Sequence, residues 1–223
     1  MLPHVILHNA VSLDGRITGF MPDTGLFYEL AGKWPFEAHL AGSNTILQSP
    51  DNVPEEDENA FEPVAAASDD SRSLLVVPDS RGRIRHWHAL KASGHWSGFV
   101  ALCSNATPAP YLDYLEKRHV DAVVTGDDHV DLKSALEKLN ERYDVKTVFL
   151  DGGGVLNGHM LRAGLVDEIS VLLHPALVGG SETVTLFNTP ELPSPDNPID
   201  LKLKHLERMA DDILWLRYDV MKA

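Results

Sequence analysis

Apolar and polar positions are most regular over the middle of the 223-residue chain, where short apolar runs alternate with stretches of helical spacing. Ser73 to Val77, Phe99 to Leu102, Val120 to Thr125 and Val145 to Leu150 read as buried strands. Helices are predicted over about Ala109 to Lys117 and over Leu132 to Arg142, the second with Leu132, Ala135, Leu136 and Leu139 on one face. A third helix follows the glycines at 152–154 and runs to about Ala163. Upstream, the run around Val5 to Leu7 gives a first strand that ends in a turn at Ser12-Leu13-Asp14-Gly15. Leu26, Phe27, Leu30 and Trp34 keep near-helical spacing over residues 25–34. His39-Leu40-Ala41 and then residues 42–47 predict a strand and a short helix.

Strands alternating with helices imply a parallel sheet covered on both faces. The last third differs: Glu168 to Leu173 is a strand, and Leu201 to Arg208 with Asp212 to Val220 alternate as an antiparallel hairpin. The expected fold class is therefore α/β, a single domain over residues 1–223. Its mixed, mostly parallel sheet is flanked by helices and closed by a C-terminal hairpin. Residues 49–71 are acidic and aperiodic, which predicts a solvated surface loop.

Charge narrows the partners. With 19 Lys and Arg against 33 Asp and Glu, the formal net charge is −14, which argues against nucleic acid. An anionic ligand must be held by local features, and backbone N–H groups at helix N-termini are the usual device. No apolar run is long enough for a bilayer, and the start MLPHVILHNAVSLDGRI has no basic leader, so a cytoplasmic protein is expected. The single cysteine, Cys103, fits a reducing compartment.

Candidate chemistry centres on Asp151-Gly152-Gly153-Gly154, between a strand and a helix. Glycines permit φ > 0 and close backbone approach, and the helix start offers free N–H groups to a phosphate. The same glycines could simply make a tight turn. A dinucleotide fingerprint would need a third glycine where Asn157 stands, and no Walker lysine motif exists. Asp14, before Gly15, is either a proton source or turn chemistry. His86-x-His88 with His95 lacks a defined metal-ligand frame, so no metal is expected.

Four segments together resemble the pyrimidine reductases of riboflavin biosynthesis, which have the dihydrofolate reductase fold. They are Ser12-Leu13-Asp14-Gly15-Arg16-Ile17, Gly42-Ser43-Asn44-Thr45-Ile46-Leu47, Val77-Pro78-Asp79-Ser80-Arg81-Gly82-Arg83, and VFLDGGGVLNGHMLRAGLVDEISVLLHPALVGG at 148–180. The resemblance implies NADPH as cofactor and a heterocyclic substrate whose ribosyl side chain is reduced to ribityl. It implies that Ala10 and Val11, with Ile17, flank the nicotinamide and that Gly42 and Thr45 lie near the cofactor phosphates. Ser80 and Arg81 would read the 2′-phosphate, and an Arg there favours NADPH over NADH. Gly152, Gly153 and Gly154, with Val155, Leu156 and Asn157, would hold the pyrophosphate and nicotinamide side. Thr24, Lys33 and Asp151 would contact substrate, with Asp14 as the candidate proton donor, and the assembly would be a homodimer. The basic residue that the family places after its Thr helix is missing from residues 48–56, and no deaminase motif is present. A pterin reductase of the same fold and a non-catalytic nucleotide-binding protein remain alternatives.

Overall fold

The computed structural model describes residues 1–48, 53–64, 70–180, 184–188 and 198–222. In chain order the main elements begin with β1 (His4–Ser12), α1 (Thr24–Ala31), β2 (Ala38–Ala41), α2 (Ser43–Gln48) and β3 (Leu74–Pro78). They continue with α3 (Trp87–Ala92), β4 (Gly98–Cys103), α4 (Ala109–Glu116), β5 (Asp121–Val124) and α5 (Leu132–Tyr143). The last third holds β6 (Thr147–Asp151), α6 (Gly154–Arg162), β7 (Glu168–His174), β8 (Leu201–Arg208) and β9 (Leu214–Val220). The strands are mostly parallel, and antiparallel pairing is confined to the C-terminal ones. Two compact units interleave along the sequence, the first built from Met1–Pro3 and Phe36–Val148, the second from His4–Pro35 and Phe149–Ala223.

In the first unit β2, β3, β4 and β5 pair in parallel, in that order. Leu75, Val77, Phe99 and Ala101 are buried with Trp87 and Tyr111 against them. Residue α5 positions Ala135, Leu136 and Leu139 are buried as their spacing predicted, and Asp131 caps the helix by accepting from Lys133 N and Ser134 N. Helix α3 was not foreseen. Six residues starting in a His-Trp-His run carry too little periodicity to read, yet Trp87 is fully buried and donates to Tyr111 Oη at 3.3 Å.

The acidic segment departs from a free solvated loop. Glu58–Phe61 forms a 3₁₀ turn that buries Ala60, and Lys91 Nζ donates to the Glu62 carbonyl at 3.0 Å. Arg118 Nε donates to Glu56 at 2.7 Å, and that hydrogen bond holds the Glu56 carboxyl below its ordinary range. An apolar residue and a paired carboxylate dock the segment where charge alone suggested solvent. Residues 49–52 and 65–69 of this stretch lie outside the described residues.

In the second unit β1 pairs in parallel with β7, which pairs antiparallel with β9, and β9 with β8. Successive side chains of β1 point to opposite faces. His8 faces α1, its ring centroid 4.5 Å from Phe27 and 5.5 Å from Trp34. Its partners fix the tautomer. The Phe27 carbonyl, 3.2 Å from Nε2, can only accept, so Nε2 carries the proton. Nδ1 then accepts from Ser170 Oγ at 2.8 Å, and Ser170 Oγ accepts from Trp215 Nε1 at 2.9 Å.

Burial lowers the His8 pKa to about 4 from 6.5. Below pH 6.5 the unfolded chain takes up a proton that the folded one refuses, so stability falls with pH until about 4 and then levels off. The loss over that window is about 3 kcal/mol. Urea unfolding at several pH values checks this: the parent is expected to weaken through the window, and His8→Gln to lose most of that slope.

Candidate active site

Strand β6 ends at Asp151, and the chain turns through Gly152 and Gly153 into α6. The three glycines have different reasons. A Cβ on Gly152 would collide with Asn157 Oδ1, and one on Gly154 with the Thr185 carbonyl. Gly153 would meet nothing within 4 Å, and its φ of −73° with ψ of 166° is open to any residue. None of the three has a positive φ. Contrary to the expectation of φ > 0, sterics and not a left-handed backbone call for glycine in this turn. Packing demands Gly152 and Gly154, whereas Gly153 keeps bare backbone facing open space. Helix α6 also starts without a side-chain cap, so its first N–H groups are not taken by a capping side chain.

A buried amide braces the turn. Asn157 Nδ2 donates at 2.8 Å to both Asn9 Oδ1 and the Gly152 carbonyl, with the Leu186 carbonyl at 3.2 Å. Asn9, unremarked in the sequence, also donates to the Gly152 carbonyl at 3.3 Å. A lone Asn in the apolar run around it was the available signal. The Asn157 side chain is fully buried and works as a brace for the turn, while Val155 is exposed and Leu156 partly so. Residues 184–188 strap this region: Ile17 N donates to Val184 O at 3.1 Å, Leu186 N to Gly15 O at 3.0 Å and Asn188 N to Gly154 O at 2.9 Å.

Asp14 anchors its turn. Its carboxylate accepts from Ser12 Oγ at 2.7 Å, Gly179 N at 2.8 Å and Val178 N at 3.1 Å, and these bonds hold it well below the usual carboxylate range. A carboxylate so engaged is a poor proton donor near neutral pH. Geometry therefore favours turn chemistry over proton transfer. Ala10 and Ile17 are partly exposed, whereas Val11 is buried.

On the α1 side, Phe149 packs 5.7 Å from His8, and Asp151, two residues on, shares its face. The charge of Asp151 acts on both His8 and Tyr28. Thr24 is exposed in the first turn of α1, behind the Asp23 cap. His174 fixes that cap: Nε2 accepts from Asp23 N at 3.0 Å while Nδ1 faces the Leu172 carbonyl at 3.1 Å. Beside it lies an open cleft of about 340 Å³ lined by residues including Phe20, Asp23, His174 and Ile213. Lys33 is exposed, with Nζ 4.9 Å from the Trp215 ring centroid.

In the first unit Gly42 precedes α2, and its carbonyl accepts from Ile46 N at 3.1 Å, while Thr45 is exposed. Arg83, not singled out from the sequence, donates to Ser43 Oγ at 2.9 Å and Asn44 Oδ1 at 3.1 Å. Ser80 Oγ accepts from Val130 N at 3.2 Å and keeps its hydrogen to donate. Arg81 is exposed and makes no hydrogen bond among the described residues. His86 and His88 are engaged by the Ile46 and Pro54 carbonyls at 2.9 and 2.8 Å.

Gly154 and Gly153 should respond differently to the same substitution. Gly154→Ala should cost about 1–3 kcal/mol by overpacking against the strap, while Gly153→Ala should change stability by less than about 0.5 kcal/mol. Thermal unfolding of the two variants measures the difference, and equal losses would remove the distinction.

Residues 3–215 match the protein-family model described as RibD C-terminal domain. The 2,5-diamino-6-ribosylamino-4(3H)-pyrimidinone 5′-phosphate reductase of Methanothermobacter thermautotrophicus is 30% identical over 222 residues, covering 96% of this chain and 97% of that protein. The riboflavin biosynthesis protein RibD of Actinobacillus pleuropneumoniae is 26% identical over 95% of this chain, which spans 56% of that longer protein. Among solved structures, a pyrimidine reductase-like protein of Corynebacterium diphtheriae shares the fold, with TM-score 0.72 at 18% identity, covering 99% of this chain and 93% of that one. The chain belongs to the RibD C-terminal domain family.

Proposed function

We propose that this protein is an NADPH-dependent reductase that converts the ribosyl side chain of 2,5-diamino-6-ribosylamino-4(3H)-pyrimidinone 5′-phosphate, or a close pyrimidine relative, to ribityl. The end-to-end likeness to the Methanothermobacter reductase carries the substrate class. The bare backbone at Gly153, ahead of an uncapped helix start, fits a pyrophosphate, which needs close backbone approach and free N–H donors. NADPH, when bound, supplies the hydride. The protein's own work is alignment and exclusion of water, so no nucleophile or triad is required. Ala10, Val11 and Ile17 are read as flanking the nicotinamide. Gly42 and Thr45 are read as lying by the phosphates. Thr24, Lys33 and Asp151 are assigned to substrate. With residues 48–56 free of Lys and Arg, Lys33 is the cation assigned to the substrate phosphate. The same absence favours a second reading, a same-fold reductase of an uncharged heterocycle such as a pterin.

Ser80 and Arg81 are assigned to the 2′-phosphate because an exposed guanidinium without an internal partner and a hydroxyl proton suit a phosphate dianion. NADPH should therefore bind more tightly than NADH, and Arg81→Ala should cost about 1.5–3 kcal/mol of NADPH affinity. Fluorescence titration of both nucleotides measures it, with Gly153→Val expected to abolish binding of either. NADPH oxidation with the pyrimidinone phosphate and with a pterin tests the reaction itself. Turnover of neither would leave a nucleotide-binding protein.

A homodimer is proposed as well. The bulge between Leu203 and His205 keeps Leu201, Leu203 and Leu206 on one face of the edge strand β8, where they are 45%, 52% and 60% exposed. A contiguous apolar stripe on a sheet edge is a liability unless covered. Sedimentation at micromolar concentration should give twice the 24.5 kDa chain mass. Leu203→Glu should shift the protein towards monomer.

A further inference from the structure

We propose that Tyr28 is a specificity-determining residue: its phenol donates to the carbonyl oxygen of a lactam edge while Asp151 accepts from the adjoining ring N–H. The inference rests on the reductase reading above and names how that site would recognise its heterocycle.

Thr24 and Tyr28 on α1 and Asp151 on β6 belong to elements that pack through Phe27 and Phe149. Phe27 roots α1 on the strands beneath it, with its ring 4.5 Å from His8 and 6.3 Å from Phe149 and its carbonyl bonded to His8 Nε2. Tyr28, the next residue, stands edge-on to Phe27 at 5.0 Å and is 61% exposed. Thr24 lies one helical turn earlier, at the i, i+4 spacing that puts two side chains on one face. Asp151 shares the Phe149 face of β6, which is the face that α1 covers. Partial burial, and after it the charge of Asp151, raises the phenol pKa of Tyr28, so the hydroxyl keeps its proton and remains a donor.

The neighbouring imidazole cannot take this role. His8 is fully buried with both ring nitrogens engaged by Ser170 and Phe27. The Tyr28 hydroxyl makes no hydrogen bond among the described residues. A donor beside an acceptor is complementary to an acceptor beside a donor. A (3H)-pyrimidinone presents that edge, with C4=O next to N3–H. A 4-aminopyrimidine reverses it, placing a donor at C4 and an acceptor at N3.

The test is steady-state kinetics of the full chain with NADPH, using the pyrimidinone phosphate and its 4-amino counterpart. The parent should prefer the pyrimidinone. Tyr28→Phe, which keeps the ring, should raise its KM about tenfold, the scale of one lost hydrogen bond. It should leave kcat, NADPH affinity and thermal stability unchanged, and should narrow the preference between the two substrates by a similar factor. If the parent reduces the pyrimidinone and Tyr28→Phe matches it in KM and preference, the role of Tyr28 is overturned while the reductase reading stands. If the parent reduces neither compound, the pyrimidinone-reductase reading fails and this inference falls with it.

Discussion

The side-chain amide of Asn157 is the interaction on which the architecture of the second unit turns. One buried NH₂ group ties the first strand through Asn9, the glycine turn through the Gly152 carbonyl and the strap through Leu186. A buried NH₂ group is costly unless its hydrogens are accepted, so Asn157 Nδ2 holds its three neighbours in one arrangement. Gly152 must be glycine because Asn157 Oδ1 occupies the space of its Cβ, and Gly154 because the strap carbonyl does. The open approach to Gly153 is what remains after those two constraints are met. That bare stretch of backbone is thereby built from interactions that contain no ligand.

Strand β1 organises the chemistry on either side of that brace. Asn9 turns towards α6 and the glycine turn, and His8 towards α1 and the aromatic cluster of Phe27, Trp34 and Phe149. The sheet pleat thus gives the glycine turn and the aromatic cluster different neighbours on one strand. Neutral His8 suits this division. The Trp215–Ser170–His8–Phe27 chain of hydrogen bonds fixes the ring without adding charge.

Most elements were legible because their periodicity is long or their punctuation strong. Leu132, Ala135, Leu136 and Leu139 identify α5 unaided, and the strand before Asp151 announces itself by its apolar run and glycine stop. Short-range signals failed where partners are distant in sequence. Helix α3 is held by Trp87 meeting Tyr111, 24 residues away, and the acidic segment by Glu56 meeting Arg118, 62 residues away. In the candidate site the glycines were visible, but their separate duties depend on Asn157 and Thr185. Asp14 reads from the sequence as a turn residue with proton donation as the alternative, and amide partners 164 and 165 residues away give it its anchoring duty.

The acidity of the chain and its assigned anionic ligands can be reconciled through how its cations are spent. Arg217 and Lys204 both bond Glu168, and Arg118 is given to Glu56. Arg83 is occupied with Ser43 and Asn44, neutral partners that leave its charge uncompensated. Arg81 has no internal hydrogen bond among the described residues, and Lys33 leans on an indole face. An ammonium over a ring at an exposed site is held by only about 0.5–1 kcal/mol, little enough for a phosphate to draw it away. With a net charge of −14, positive potential survives only where a cation lacks a carboxylate partner. Arg81 and Lys33 are the two of these cations that the family resemblance assigns to phosphate, and neither has a carboxylate partner among the described residues.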